Sequence, residues 1–181
     1  SMWLIDLVEN LLSITRIEDD KLGLKTQPEL LEEIFQEALQ HLDRNASQHQ
    51  ISVELEDDLL MANVDARLLV QVVINIVNNA IKYTPEGSHI TLSAHREGDQ
   101  VEVEIADDGP GIDQDAKDRI FDMFYTADKK GGDSRRGLGL GLSLCKSIIN
   151  AHGGTIQAVD NHPQGTIFRF TLGAVEETNH E

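Results

Sequence analysis

Hydrophobic residues at the start of the chain recur at alternating intervals of three and four. They are Leu4, Leu7, Leu11 and Ile14, with Ile5, Val8 and Leu12 beside them. This pattern predicts a helix over residues 3–18 with a coiled-coil-like seam. The helix either packs on its own domain or forms half of a helical hairpin, and the density of apolar residues favours the hairpin.

The pattern then changes to short alternating and helical segments. Residues 19–28 break the helix and predict a short strand. Pro28 suits the first turn of a second helix over residues 28–48, whose acidic residues lie early, as the helix dipole favours. Residues 51–57 alternate as a strand does, and residues 60–64 predict another strand.

A longer helix and two hairpins follow. Residues 66–84 carry a continuous helical pattern, with Asp65 as the N-cap and Pro85 after the end. The remaining elements are a hairpin over residues 89–109 that turns at Gly98, a short polar helix near 113–120, a helix over 138–152 and a second hairpin over 155–172. Because this order lacks the regular spacing of a doubly wound fold, we predict an α+β sandwich, with helices over one face of a mostly antiparallel sheet.

Composition narrows the class of protein. The chain has 181 residues, enough for one domain with an appendage, and a formal net charge of −17. Such a negative charge argues against a nucleic-acid surface. One cysteine excludes an internal disulfide framework, and no apolar run is long enough to cross a bilayer. We expect a piece of a longer protein that works in the cytoplasm.

The long helix carries a polar sector opposite its apolar side. The polar residues are Asn75, Asn79, Lys82 and Tyr83, with Asn78 beside them, and the apolar side includes Leu69, Val73, Val77 and Ala80. Asparagine oxygens suit Mg²⁺ that is also held by phosphates. A plain solvated helix face is the alternative interpretation.

A second candidate follows the fifth predicted strand in the segment ADDGPGI, residues 106–112. Glycines at this turn let a flat group approach the backbone. The carboxylate of Asp107 could accept a hydrogen bond from an exocyclic amine, which would select adenine over guanine. A simple Pro-Gly turn is the alternative.

A third candidate combines positive charge with bare backbone. Its basic residues are Lys129, Lys130, Arg135 and Arg136, and its glycines are Gly137, Gly139 and Gly141. Arginine donates to phosphate oxygens, and the following helix would direct its N-terminus towards a phosphate chain. A disordered surface loop is the alternative. Neither a dinucleotide-binding fingerprint nor a P-loop fits the spacing of these glycines.

These motifs occur in a familiar order: Asn-x-x-x-Asn-Ala-x-Lys-Tyr, Asp-x-Gly-x-Gly, the pair Phe121 and Phe124, then Gly-x-Gly-x-Gly. The order resembles the N, G1, F and G2 boxes of the sensor histidine kinases, within the superfamily of Bergerat-fold ATPases. Residues 7–24 are similar to the second helix of that family's dimerisation and phosphoacceptor hairpin. Residues 121–148 are similar to the potassium-responsive KdpD type. The resemblance implies a mixed sheet covered by helices.

The resemblance also implies roles for individual residues. Asn79 would bind Mg²⁺ with Asn75 assisting, Lys82 would reach a phosphate, and Tyr83 would lie against the base. Asp107 would accept from the adenine amine. The remaining expected ATP contacts are Gly109, Gly111, Ile112, Phe124, Arg135, Arg136, Gly137, Leu138, Gly139, Leu140 and Gly141. Leu142 and Leu144 would help to anchor the glycine-rich segment to the core.

Two features define the chemistry that the resemblance implies. Water-splitting members of the superfamily carry a general-base glutamate four residues before the metal-binding asparagine, where this chain has Asn75. An amide cannot take a proton from water near neutral pH, so ATP would be positioned for another nucleophile. The family's acceptor histidine precedes an acidic residue. Among the seven histidines only His180 does so, beyond the last predicted strand. We therefore expect no self-phosphorylation in cis.

The implied organisation has three parts. Residues 1–20 would be a remnant of the hairpin, residues 21–174 the ATP-binding catalytic domain, and residues 175–181 a polar tail. The domain would use Mg²⁺ and ATP to phosphorylate a histidine on a separate dimerisation helix. Its partners would be that helix, a cognate response regulator and a second copy in the full-length homodimer, which we expect to be anchored in a membrane. The alternatives are a non-catalytic nucleotide-sensing or docking module, and a serine kinase of the same superfamily.

Overall fold

The computed structural model describes residues 23–122, 125 and 141–176. This part of the chain contains three α-helices: α1 (Leu31–Leu39), α2 (Ala66–Tyr83) and α3 (Gly141–Ala151). A short 3-10 helix spans Arg44–Gln48. The strands are β1 (Gln27–Leu30), β2 (Gln50–Glu54), β3 (Met61–Val64), β4 (His89–Glu97), β5 (Gln100–Asp107), β6 (Ile156–Asp160) and β7 (Thr166–Ala174). The predicted first helix, residues 3–18, lies outside the described residues.

The strands form one mixed, mostly antiparallel sheet. Their order is β1-β3-β7-β5-β4-β2, and β6 also pairs with β7. The β2–β4 pair is parallel, whereas the other described pairs are antiparallel. The two predicted hairpins are β4–β5 and β6–β7, and Gly98 at the first turn has a positive φ of 61°. The predicted α+β fold class is therefore confirmed.

One face of the sheet forms the core with the helices. Alternate residues of β5 and β7 are buried, namely Val101, Val103, Ile105, Phe168, Phe170 and Leu172. The apolar side of α2 meets this face through residues that include Leu69, Val73, Val77 and Ala80. Removing each large apolar side chain from water contributes about 1.5–3 kcal/mol. The helix periodicity and the strand alternation thus lead to the same two-layer arrangement.

Asp65 occupies the N-cap position of α2 but does not cap the helix with its side chain. Its carboxylate instead accepts from the backbone N–H of Lys25 at 3.1 Å and pairs with Arg67 at 3.5 Å. The backbone N–H of Asp65 donates to His152 Nε2 at 3.0 Å. This residue therefore ties the start of α2 to the end of α3 and to the segment before β1.

Two predicted helices differ from the structure. Pro28 lies in β1 rather than in a helix, and α1 begins only at Leu31 and ends at Leu39. The reason is pairing with β3, since proline is tolerated on an edge strand that lacks a partner on one side. Residues 113–120 form successive turns instead of a helix. A segment this short gains little helical cooperativity, and the buried side chain of Ile120 anchors its end.

Helix α3 packs on the core through its buried side. Leu144 is 1% exposed, and Leu142 is half-buried against the same cluster. Cys145 is fully buried, which raises the pKa of its thiol to about 12, so it acts as a small apolar core residue. No helix in the described ranges combines the length and hydrophobicity that a bilayer span requires.

Candidate functional site

The polar sector of α2 lies at the domain surface. Asn75, Asn79, Lys82 and Tyr83 are all half-buried, because the opposite side of the helix faces the sheet. Asn78 has a different role: its Oδ1 accepts from the backbone N–H of Asp43 at 3.0 Å. The structure therefore groups the predicted residues along one helix face, with Asn78 bonded to the chain before the 3-10 helix.

Asn75 connects α2 to the first residue of α3. Its Oδ1 accepts from Gln71 Nε2 at 2.9 Å, and its Nδ2 donates to the carbonyl of Gly141 at 3.4 Å. These bonds fix the orientation of the amide. A Cβ on Gly141 would lie 3.9 Å from Asn75 Cγ, which is an ordinary van der Waals contact with the Asn75 side chain.

The end of α2 carries the cationic part of the sector. The ammonium of Lys82 lies 5.1 Å from the ring centroid of Tyr83. This distance is within the range of a cation–π contact, which helps to keep the flexible lysine close to the helix. A positive charge and an aromatic face thus lie side by side where α2 ends.

The adjacent aspartates after β5 have opposite environments. Asp107 is 7% exposed, and its Oδ1 accepts from the backbone N–H of Gly109 at 2.9 Å and of Thr166 at 3.3 Å. Burial raises the pKa of this carboxyl, aided by the charge of Asp108 and opposed by the two hydrogen bonds. A carboxylate kept inside at this expense is a strong acceptor for a ligand donor.

Asp108 points outward to His89. It accepts from the His89 backbone N–H at 2.8 Å and lies 3.1 Å from its ring Nδ1. Desolvation acts to raise the pKa of Asp108, but the bonds to His89 outweigh it and lower the pKa overall. Strand alternation therefore assigns the inward position to Asp107 and the outward one to Asp108.

The glycines of the turn after β5 allow close contact with the end of α2. A Cβ on Gly109 would lie 2.5 Å from Thr84 Cγ2, so no larger residue fits without a shift. Thr84 itself is fixed, since its hydroxyl donates to Ala80 O at 2.7 Å and lies 2.8 Å from His49 Nε2. Gly111 has a positive φ of 84°. Ile112 is half-buried against the core.

Sequence reasoning missed three residues of this region. Thr166 donates to Asp107, Thr84 packs on Gly109, and Gly165 lies against the backbone of Asp107. The sequence signal for two of these residues is the pair Gly165-Thr166, where the β6–β7 connection ends and β7 begins. On sequence grounds alone this pair indicates only a hairpin turn.

Several predicted site residues lie outside the described part of the chain. They are Phe124, Arg135, Arg136, Gly137, Leu138, Gly139 and Leu140. Phe121 is described and buried, with its ring edge-on to Phe168 at a centroid distance of 6.1 Å. Phe121, the first residue of the F-box pair, is therefore anchored in the core.

A groove of about 490 Å³ lies on the outer side of the same turn. Its lining includes Pro85, His89, Asp108 and Pro110 but none of Asn75, Asn79 and Asp107. The groove is open and shares Gly109 with the inward-facing site. It is an alternative location for a small ligand.

Within the described residues, one other group brings metal-ligand atoms together. His95, Glu97 and Glu102 place three such atoms within 4.8 Å on the β4–β5 hairpin. His95 and Glu97 are exposed, and Glu102 already pairs with Arg169 at 3.3 Å. Exposed acidic groups of this kind are common without a metal ion, so we propose no metal site at this group.

Comparison with known proteins identifies the family of this fold. The family model described as histidine kinase-, DNA gyrase B- and HSP90-like ATPase matches residues 64–176. Sensor protein KdpD of Clostridium acetobutylicum is 44% identical over 170 residues, which cover 94% of this chain and 19% of the relative. The chain spans about a fifth of the length of the KdpD relatives that it matches.

Two solved structures extend the comparison. Full-length ShkA in complex with AMPPNP has a TM-score of 0.82 at 27% identity, covering 96% of this chain and 37% of that one. ThkA in complex with the response regulator protein TrrA has a TM-score of 0.70 at 26% identity, covering 93% of this chain and 49% of that one.

Proposed function

Because the chain belongs to the histidine kinase-, DNA gyrase B- and HSP90-like ATPase family, as a KdpD-like ATPase domain of the sensor histidine kinases, we propose that it binds Mg²⁺-ATP and transfers the γ-phosphoryl group to a histidine of a dimerisation helix. The observation that carries this proposal is the buried carboxylate of Asp107, whose turn lies against the end of α2 through Gly109 and Thr84. The crystallised complex of ShkA with AMPPNP supports the choice of nucleotide.

Asp107 would recognise the adenine base. In the described part of the chain both hydrogen bonds to its carboxylate end on Oδ1, so Oδ2 can accept from the exocyclic amine. Guanine carries a carbonyl oxygen at the corresponding position and would meet the carboxylate with like polarity. Gly109 and Gly111 keep this wall free of side chains, which allows the flat base to approach.

The polar face of α2 would hold the phosphates and the metal. Bound Mg²⁺ would neutralise the charge of the phosphates. It needs few protein ligands because it keeps several of its coordinated waters. The amide oxygen of Asn79 is a suitable ligand, with Asn75 assisting, and Lys82 offers a positive charge for a phosphate oxygen. Tyr83 would pack against the base. Arg135, Arg136 and the glycines of residues 137–141 would complete the phosphate contacts.

The transfer step follows from the residue at position 75. An imidazole nitrogen of the acceptor histidine attacks the γ-phosphorus while the bond to the ADP oxygen breaks, and ADP leaves with those electrons. Water is a poor competitor, because the amide of Asn75 is not basic and is fixed by Gln71 and Gly141. The site therefore favours transfer over hydrolysis.

The further partners are inferred from the sensor histidine kinases to which the chain is similar. We propose that the acceptor histidine lies on a dimerisation hairpin, that two copies associate through it, and that a response regulator then receives the phosphoryl group. The complex of ThkA with TrrA supports the last step. We also propose a location on the cytoplasmic side of a membrane, where ATP is present.

Asn79→Ala is expected to remove most of the Mg²⁺-dependent part of nucleotide affinity. The loss should be about tenfold, or roughly 1.4 kcal/mol, because one oxygen ligand disappears. Calorimetric titration with AMPPNP, with Mg²⁺ and with EDTA, measures it. Asn150→Ala is the matched control, since Asn150 is an exposed asparagine on α3. Equal Mg²⁺ dependence in both variants would contradict the assignment.

Acidification is expected to weaken nucleotide binding at a higher pH than an ordinary aspartate would predict. The raised pKa means that Asp107 becomes protonated and neutral early as the pH falls, which removes the charged acceptor. Protonation of Asp107 also favours the folded state, whereas Asp108, with its lowered pKa, loses its stabilising contribution as the pH falls through that pKa. Binding measured from about pH 8 to about pH 5 tests this. Asp107→Asn should lack the same inflection.

Phosphoryl transfer is tested with a dimerisation hairpin that carries the acceptor histidine, supplied as a separate polypeptide. Incubation with ATP labelled at the γ-phosphorus should label the hairpin at its histidine. An Asn79→Ala domain should label it much more slowly. A domain that binds Mg²⁺-ATP tightly but never labels the hairpin would refute the kinase proposal and favour a nucleotide-sensing module.

A further inference from the structure

The β6–β7 connection, residues 161–165, lies directly on the end of β5. Asn161 Nδ2 donates to the backbone carbonyl of Asp107 at 2.8 Å, and Gln164 Nε2 donates to the carbonyl of Asp108 at 2.9 Å. The connection is closed by a bond from the Asn161 N–H to the Gly165 carbonyl at 3.0 Å. Five residues therefore form a compact clamp on the two aspartates; we call them the β6–β7 clamp.

The clamp begins where the β-ladder ends. Pairing of β5 with β7 runs as far as Ala106 and Ile167. At the next position the Thr166 N–H donates to the Asp107 side chain at 3.3 Å rather than continuing the ladder. Asn161 supplies the donor for the Asp107 carbonyl. The side-chain amide thus holds the strand end while Thr166 orients the carboxylate.

The orientation of the Asn161 amide is itself fixed. Its Oδ1 accepts from the backbone N–H of His162 at 2.9 Å, so its Nδ2 faces Asp107. Asn161 is half-buried, and the described contact spans 54 positions of the sequence. A flipped amide would place its oxygen against the Asp107 carbonyl oxygen and its N–H group against the His162 N–H. Both contacts would be unfavourable, so the observed orientation is the stable one.

Gly165 brings the clamp backbone into contact with Asp107. A Cβ at this position would lie 1.9 Å from the Asp107 carbonyl oxygen and 2.9 Å from Asp108 Cα. The backbone of the clamp and that of the strand end are therefore in close contact. Any shift of the clamp would carry the Asp107 carboxylate with it.

We propose that Asn161 is a positioning residue for base selection: it fixes the end of β5 so that the Asp107 carboxylate meets the exocyclic amine of adenine. The inference rests on the proposed nucleotide-binding function. It assigns Asn161 an effect on the base and none on the phosphates, which the α2 face would bind on the other side of the site.

The test compares adenine and guanine nucleotides in the 181-residue chain. Asn161→Ala removes the donor, and Asn161→Asp places an acceptor against the Asp107 carbonyl. Both should weaken Mg²⁺-AMPPNP binding by about tenfold, the equivalent of one lost hydrogen bond, and leave the weaker Mg²⁺-GMPPNP binding unchanged. Gln157→Ala, an exposed glutamine of β6, is the control and should alter neither affinity.

A merely structural role would lower the melting temperature and leave the ratio of the two affinities at its parent value, which would overturn the proposal. If Asn161→Ala does not fold, Asn161→Ser keeps a hydroxyl donor and should show an intermediate ratio, whereas a parent ratio would overturn the proposal. A parent chain that binds neither nucleotide refutes the proposed function. If the parent chain selects adenine and the Asn161 variants select it equally well, only the role of Asn161 is refuted.

Discussion

Asp107→Asn is expected to weaken Mg²⁺-AMPPNP binding by about a hundredfold, or roughly 2.7 kcal/mol. Asparagine keeps the shape, and its Oδ1 can still accept from Gly109 and Thr166. Its Nδ2 would then face the adenine amine, so that a donor meets a donor. The substitution also removes a buried charge, and the free energy of unfolding should stay equal or rise.

Asp108→Asn is the matched control for this result. The side chain of Asp108 is 45% exposed and is directed to His89, away from the inward-facing site. Its replacement should change nucleotide affinity by a few-fold at most, as measured by calorimetry. Equal losses in the two variants would contradict the assignment of the base to Asp107, and a loss in Asp108→Asn alone would place the base in the outer groove.

Gly165→Ala is expected to reduce the free energy of unfolding by about 3 kcal/mol or more. The new methyl group would overlap the Asp107 carbonyl, 1.9 Å away, and the residue has a positive φ of 113°. Backbone atoms cannot rotate aside as a flexible side chain can. Relief of the clash would require the β6–β7 clamp to leave Asp107, so nucleotide binding should fall as well.

Gly153→Ala separates the clash from the backbone strain. Gly153 also has a positive φ, 79°, but nothing lies within 4 Å of the position that its Cβ would take. Its substitution should lower the free energy of unfolding, measured in urea, by about 1 kcal/mol. The slope of that free energy against urea concentration should stay unchanged. If the two glycine variants lose the same stability, the close approach at Gly165 is wrong.

Elements with strong periodicity could be predicted from the sequence. The apolar and polar sides of α2 follow directly from spacing, and burial of Val73 and Val77 beside the half-buried Asn75 and Asn79 agrees with that pattern. The β4–β5 hairpin follows from alternation and from Gly98. In these elements local preference and tertiary packing favour the same structure.

The helix that was predicted too long and the predicted helix that is absent show where local patterns are insufficient. Pro28 and its neighbours have helix-compatible sequences, but β3 lies some thirty residues further along and pairs with them. Pairing with a distant strand leaves no periodic mark on the segment that it captures. Residues 113–120 have polar helix formers but only a short length, and anchoring of Ile120 in the core decides their path.

Residues of the candidate site also differ in whether the sequence alone could predict them. Asp107 could be predicted because it ends an alternating strand and precedes a glycine turn. Thr166 and Asn161 could not, since they reach Asp107 from more than fifty positions away and their own segment reads as a hairpin turn. The expected roles of Phe124, Arg135, Arg136, Gly137, Leu138, Gly139 and Leu140 stay predictions, because these residues lie outside the described part.

A crystal structure of this chain with Mg²⁺-AMPPNP tests the central claim most directly. The account predicts the adenine amine within hydrogen-bonding distance of the Asp107 carboxylate, with Mg²⁺ bound to the amide oxygen of Asn79 and the phosphates along the polar face of α2. A nucleotide bound in the outer groove beside His89 and Asp108, with the α2 face empty, would contradict it.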